Sequence, residues 1–265
     1  MTRPALAFAL AALAVAAADA RPVPDPVAVK VGELKRHAVI VPPTKGKKAA
    51  HPVVFVFHGH GGTSADAASG FAIHEHWPEA VVVYPQGVKT PRPSDPEGKF
   101  SGWQGDPADY GGRDLLFFDA LLAKVTAEHK VDDKRVYAAG FSNGGSFTYL
   151  LWANRGAKLA AVGPVGATAG KQRKGLTPKP CLHVAGEKDD VVEFANQQKS
   201  MAAVREVNGC TADGKRWDKA GPLVGTVYES KGGTPFVGVV HPGGHTVPPE
   251  VGPLLVRFFK ENPGK

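Results

Sequence analysis

The sequence predicts an α/β fold, a mostly parallel central sheet with helices on both faces. Three observations carry that expectation. Short apolar runs alternate along the chain with longer stretches of helical periodicity. No internal repeat breaks the alternation. At one junction the change can be followed residue by residue: the apolar run Arg135-Val136-Tyr137-Ala138-Ala139 passes through Gly140-Phe141-Ser142-Asn143-Gly144 into a helix-like stretch from Gly145 to Trp152. With 265 residues, 43% apolar and 22% charged, the composition is that of a globular protein, not a disordered one.

The first twenty residues stand apart from the rest. Met1-Thr2-Arg3 carries one positive charge, Ala5 to Ala18 is an unbroken apolar run, and Ala18-Asp19-Ala20 is a small-x-small cleavage site. Residues 1–20 therefore read as a secretory signal peptide, too short and too rich in alanine for a membrane span. The remainder, 21–265, is expected to form one catalytic domain, secreted or periplasmic, with no membrane span in the mature chain.

Strands are predicted at 37–41, 53–57, 81–84, 136–139, 160–165, 181–185, 226–230 and 236–240, and helices at 113–129, 143–155, 192–207 and 250–260. The helix at 113–129 has the clearest pattern. Leu115, Phe118, Leu122 and Val125 recur every three or four residues, the stripe of an amphipathic helix. Residues 86–112 form a long loop rich in Pro and Gly that holds Trp103 and Tyr110. Loops of that length in a compact domain are functional or disordered. This one is read as a wall of a substrate cleft, with Trp103 and Tyr110 as substrate-binding residues. Only fifteen residues separate the strands at 160–165 and 181–185. That is too short for a helical lid domain, so the cleft is expected to be open.

The formal net charge of +7 is scattered. Its denser spots, Lys45-Gly46-Lys47-Lys48 and Lys171-Gln172-Arg173-Lys174, are loop-like and lack the interleaved aromatics of a nucleic-acid groove. They read as solvated surface, and no nucleic-acid partner is expected. The two cysteines, Cys181 and Cys210, form an even count in an exported chain, which points to a disulfide. The alternative is a pair of buried thiols.

The chemistry concentrates on Gly140-Phe141-Ser142-Asn143-Gly144. A sharp strand-to-helix turn needs glycine at both flanks and lifts the serine hydroxyl to the top of the sheet, beside a helix N-terminus that favours negative charge. From 32 glycines and eight serines, about 0.1 such pentapeptides are expected by chance, so the flanking strand and helix matter as much as the motif. A serine nucleophile needs a base, and the base an orienting acid, both on loops after later strands. Asp189, in Gly186-Glu187-Lys188-Asp189-Asp190, follows the strand at 181–185, with Asp190 as the alternative acid. His245, in His241-Pro242-Gly243-Gly244-His245-Thr246, follows the strand at 236–240, with His241 as the weaker base. The strand at 53–57 runs into His58-Gly59-His60-Gly61-Gly62, where His60 supplies one oxyanion N–H and Asn143 the other.

These residues carry a resemblance. His58-Gly59-His60-Gly61-Gly62, Gly140-Phe141-Ser142-Asn143-Gly144-Gly145, the spacing of Gly186 to Asp189, and Gly243-Gly244-His245-Thr246 together resemble the polyhydroxybutyrate-depolymerase and feruloyl-esterase group. That group includes the LpqC-like esterases and carbohydrate esterase family 1. The likeness runs from about residue 30 to 260. It implies an α/β-hydrolase fold without a lid, and hydrolysis of feruloyl, acetyl or hydroxyalkanoate esters through a Ser142–Asp189–His245 triad. It implies no cofactor. Many members carry a tryptophan after the His-Thr pair, where this chain has Val247.

Two rival readings remain at this stage. One is a non-catalytic module that binds polysaccharide or polyester in the open cleft. The other is a metal-dependent hydrolase that uses the His58/His60 and His74/His76 pairs. Against it, no suitably spaced carboxylate follows either pair, so no metal is expected.

Overall fold

The chain enters its sheet through an antiparallel hairpin of β1 (Val27–Val31) and β2 (Leu34–Val41). This computed structural model describes residues 21–46 and 49–264, so the signal-peptide reading of 1–20 lies outside the described residues. β3 (His51–Phe57), α1 (Ser64–Phe71), α2 (Ile73–His76) and β4 (Val81–Pro85) follow, then a small hairpin of β5 (Val88–Lys89) and β6 (Ser101–Gly102). Next come α3 (Arg113–Glu128), β7 (Val131–Phe141), α4 (Asn143–Arg155), β8 (Ala161–Val165) and β9 (Cys181–Gly186). The chain ends with α5 (Phe194–Val207), β10 (Lys215–Ala220), β11 (Leu223–Tyr228), β12 (Phe236–His241) and α6 (Val251–Glu261).

Among the described residues these strands form a ten-stranded sheet in the order β1-β2-β4-β3-β7-β8-β9-β12-β11-β10. The six inner strands from β4 to β12 pair in parallel, while β1, β2, β10 and β11 join antiparallel at the two edges. The inner strands are apolar at consecutive positions because both faces are covered. In β3, Val53, Phe55 and Phe57 point into one core with Phe118 of α3, Phe147 of α4 and Val204 of α5. Val54 and Val56 point into the other with Phe71 of α1 and Leu255 of α6. Each such fully buried side chain contributes about 1.5–3 kcal/mol.

The predicted inner strands and the four long helices are present, with ends displaced by a few residues. The parallel sheet carries its functional loops at the carboxyl ends of its strands, where β3, β7, β9 and β12 each end in one of the sequence motifs. The short connection from β8 to β9 contains a turn of 3-10 helix, Gly170–Gly175, and no lid.

The disulfide expectation is corrected. Cys181 and Cys210 are both free thiols. Cys181 opens β9 inside the core, and Cys210 packs against that same cluster. Burial raises the pKa of both, so each thiol is held protonated in apolar surroundings. Counting cysteines does not reveal that environment.

Candidate active site

Ser142 occupies the turn between β7 and α4 with φ of 55° and ψ of −117°. A residue with a side chain holds such a backbone only when its surroundings enforce it, at a cost of about 1–3 kcal/mol. The enforcement is visible. A Cβ on Gly144 would strike the carbonyls of Phe57 and His58, and one on Gly140 would strike the Gly144 carbonyl. Ser142 N–H donates to the Val165 carbonyl at 2.9 Å, which ties the turn to the end of β8. Ser142 is the N-cap of α4, so its side chain stands at the positive end of that helix.

Asp189 and His245 meet although 56 residues separate them. His245 Nδ1 lies 2.8 Å from Asp189 Oδ2. The carboxylate can only accept, so Nδ1 carries the proton and Nε2 is left as the acceptor. Two further contacts hold the imidazole near the serine turn. Its ring centroid is 4.6 Å from that of Phe141, and a Cβ on Gly166 would lie 3.4 Å from it. Lys188 N–H donates to the Gly243 carbonyl at 3.0 Å, stitching the acid loop to the histidine loop. Asp189 is 5% exposed, and its other bonds come from Val191 N–H at 3.1 Å, Val192 N–H at 2.8 Å and Gln197 Nε2 at 2.9 Å. Asp190 is exposed. His241 is buried, and its Nδ1 accepts from Gly243 N–H at 3.2 Å, so it shapes the turn that carries His245.

Behind Asp189 runs a buried chain that the sequence reading missed. Gln197 gives its amide hydrogen to Asp189 and faces His183 Nε2 with its oxygen at 3.2 Å, and His183 Nδ1 faces the Tyr149 hydroxyl at 2.7 Å. The amide orientation fixes the rest: Nε2 donates and Nδ1 accepts. His183 is fully buried and its pKa is lowered to about 4, first by desolvation. None of these residues lies in a recognisable motif. The signal available was a histidine inside an apolar strand.

His60 and its neighbours form the opposite side. The Gly59 carbonyl accepts from His58 Nδ1 at 2.7 Å and from Gly62 N–H at 3.1 Å. In a trans peptide the carbonyl and the following N–H point in opposite directions. Fixing the Gly59 carbonyl toward His58 therefore turns the His60 N–H away from that carbonyl. His58 Nε2 accepts from Gly87 N–H at 2.9 Å, and burial lowers its pKa, so the ring stays neutral in this tautomer. The N–H of Gly61 is taken by the Ser101 carbonyl at 2.7 Å.

Trp103 is corrected from cleft wall to core. It is fully buried between Phe57 and Phe147, and its indole N–H donates to the His58 carbonyl at 2.9 Å. Its main chain is bonded to the Asn143 side chain. Tyr110 is 48% exposed and stacks on the Arg113 guanidinium at 4.0 Å. It borders a cavity of about 220 Å³ with Thr90, Pro91, Arg92, Pro93 and the buried Trp103. The far end of the loop is anchored by Gln104, whose N–H donates to Asp114 Oδ2 at 2.8 Å, and Asp114 pairs with the buried Arg36 at 2.8 Å. A sequence reading has no local signal for that pair.

Two histidines of the rival metal reading are otherwise engaged. Both His58 ring nitrogens bond main chain, and His74 Nδ1 lies 2.8 Å from the Tyr84 hydroxyl.

No protein-family model matches the chain. The bifunctional acetylxylan esterase/xylanase XynS20E of Neocallimastix patriciarum is 30% identical over 131 residues, which are 49% of this chain and 18% of that protein. The probable feruloyl esterase C of Aspergillus clavatus is 28% identical over 207 residues, 76% of this chain and 71% of that one. Among solved structures, an acetyl xylan esterase from Aspergillus awamori matches with a TM-score of 0.67 at 14% identity, over 90% of this chain and all of the other. The structural likeness shows the α/β-hydrolase fold. The chain spans less than a fifth of the bifunctional relative's length.

Proposed function

We propose that this relative of feruloyl and acetylxylan esterases is a secreted serine carboxylesterase acting on esters borne by polysaccharides. The observation that carries the reading is the 2.8 Å bond between His245 Nδ1 and the buried Asp189 carboxylate, beside a serine held at positive φ. His245 Nε2 takes the proton of Ser142 as its oxygen attacks the ester carbonyl. The oxyanion sits on the N–H groups of His60 and Asn143. The imidazolium, stabilised by Asp189, then protonates the departing alcohol. Water, deprotonated by His245, releases the acid from the acyl-serine and restores Ser142. The names of the relatives favour polysaccharide esters over polyhydroxyalkanoates. Among the described residues no helix is long and apolar enough to cross a membrane.

The test is a hydrolysis panel of 4-nitrophenyl acetate, methyl ferulate, acetylated xylan and hydroxybutyrate oligomers, with fluorophosphonate labelling of Ser142. A folded protein that hydrolyses none of these and takes no label is a binding module instead.

A further inference from the structure

Phe100 is 56% exposed, although the loop that bears it is tied down on every side. Its N–H donates to Asp95 Oδ2 at 3.0 Å, and its carbonyl accepts from Thr90 N–H at 3.0 Å. The next residue, Ser101, bonds the oxyanion loop twice: its carbonyl accepts from Gly61 N–H at 2.7 Å, and its hydroxyl donates to the Gly62 carbonyl at 2.6 Å. A Cβ on Gly61 would lie 3.9 Å from the Phe100 Cβ, and the Phe100 ring stands edge-on to His60 with centroids 6.2 Å apart. His60 is braced from behind by Asp95 at 3.2 Å. A single exposed aromatic is ordinary on a protein surface. One on a hairpin hydrogen-bonded to the loop proposed to hold the oxyanion is placed to touch substrate.

The geometry of a tetrahedral adduct says which part. Its central carbon carries four substituents, and three have assigned places: the Ser142 oxygen, the oxyanion toward His60 and Asn143, and the leaving oxygen toward His245. The acyl group takes the fourth direction, away from His245. His245 stands against Phe141, Gly166 and the acid loop, whereas Phe100 stands beyond the oxyanion loop on the β5–β6 hairpin. We infer that Phe100 is a specificity-determining residue whose exposed ring is the platform for the acyl group, so that planar aromatic acyl groups are preferred over acetyl. Offset or edge-to-face ring pairing supplies the attraction, and the fixed hairpin keeps the ordering cost low. The inference rests on the serine-esterase reading.

The experiment compares 4-nitrophenyl ferulate with 4-nitrophenyl acetate, which share a leaving group and differ in acyl group alone. Phe100→Ala is expected to lower kcat/KM for the ferulate about tenfold, through KM, and to leave the acetate within about twofold. Phe100→Trp is expected to restore the ferulate. A second series, acetates of 4-nitrophenol and 1-naphthol, is expected to be indifferent to Phe100→Ala. Equal losses on ferulate and acetate would make Phe100 structural and overturn the inference. So would an unchanged ferulate rate, or an effect that follows the alcohol. A folded wild-type protein inactive on both acyl esters would instead overturn the esterase reading itself.

Discussion

The side-chain amide of Asn143 holds the main chain of Trp103 at both ends. Oδ1 accepts the Trp103 N–H at 2.8 Å and Nδ2 donates to the Trp103 carbonyl at 3.3 Å. Asn143 opens the helix after the serine turn, and Trp103 follows the β5–β6 hairpin and reaches on to the His58 carbonyl. One residue pair thus joins three segments, two of which supply the proposed oxyanion donors.

Asn143→Ala would leave both Trp103 main-chain groups buried without partners. Each orphaned group costs about 1–3 kcal/mol. Together they cost about 2–6 kcal/mol, and at about 2–4 °C per kcal/mol for a domain of this size the melting temperature is expected to fall by roughly 4–24 °C. The oxyanion N–H groups would lose their relative placement, so kcat should fall more than KM rises. Thermal unfolding and steady-state kinetics check this. An unchanged melting temperature would mean that the pair joins nothing.

Ser142 allows chemistry and strain to be separated. Ser142→Ala removes the nucleophile and is expected to lower kcat by at least about 10⁴-fold. It keeps a Cβ at φ of 55°, so stability should barely change. Ser142→Gly also removes the nucleophile but relieves the strain of about 1–3 kcal/mol, less roughly 0.5–1 kcal/mol for added unfolded-state freedom. A net gain of about 1 kcal/mol is expected in urea unfolding. A glycine variant less stable than the alanine one would argue against a strained turn.

Asp189→Asn and Asp190→Asn should differ sharply. The first puts an amide against His245 Nδ1 and disfavours the tautomer that leaves Nε2 free, a change worth about 10⁴-fold in kcat in a serine protease triad. The second alters an exposed carboxylate, with an expected effect on kcat under threefold. Equal losses in the two variants would show that neither carboxylate alone orients the base.

The inner sheet was legible because β3, β4, β7, β8, β9 and β12 are mostly apolar where they are buried, as at 53–57, 81–84 and 136–139. β1 and β10 were not, because edge strands are half-exposed and β10 reads Lys215-Arg216-Trp217-Asp218-Lys219-Ala220, with little apolar character. The short α1 escaped because its residues are mostly Ser, Ala and Gly, although Thr63 and Asp66 form a capping box there. The motif residues of the site sit on loops whose glycines announce the backbone they need. Gln197, His183 and Trp103 act through tertiary contacts over long separations, which leave no local trace. The sequence reading places Trp103 and Tyr110 at the cleft because both lie in the long loop; burial puts Trp103 in the core and leaves Tyr110 and Phe100 exposed.

The buried chain behind Asp189 gives the fold a pH dependence whose sign can be worked out. His183 has a folded-state pKa of about 4, below the ordinary imidazole value of about 6.5, because burial opposes the charge. A depressed pKa means that the unfolded chain binds a proton the native state refuses. The stabilisation is therefore full above about pH 6.5 and is lost as pH falls toward about 4. At about 1.36 kcal/mol per unit, the loss across that window is on the order of 3 kcal/mol. His58, His74 and His241 are shifted downward too, so they act in the same direction. The urea midpoint of the wild-type protein should drop between pH 7 and pH 4.5, and His183→Gln, which cannot titrate, should flatten that slope by about one proton. Parallel curves for the two proteins would show that His183 titrates in the folded state as it does in the unfolded chain. The neutral tautomer that orients Gln197 toward Asp189 would then not be enforced by burial.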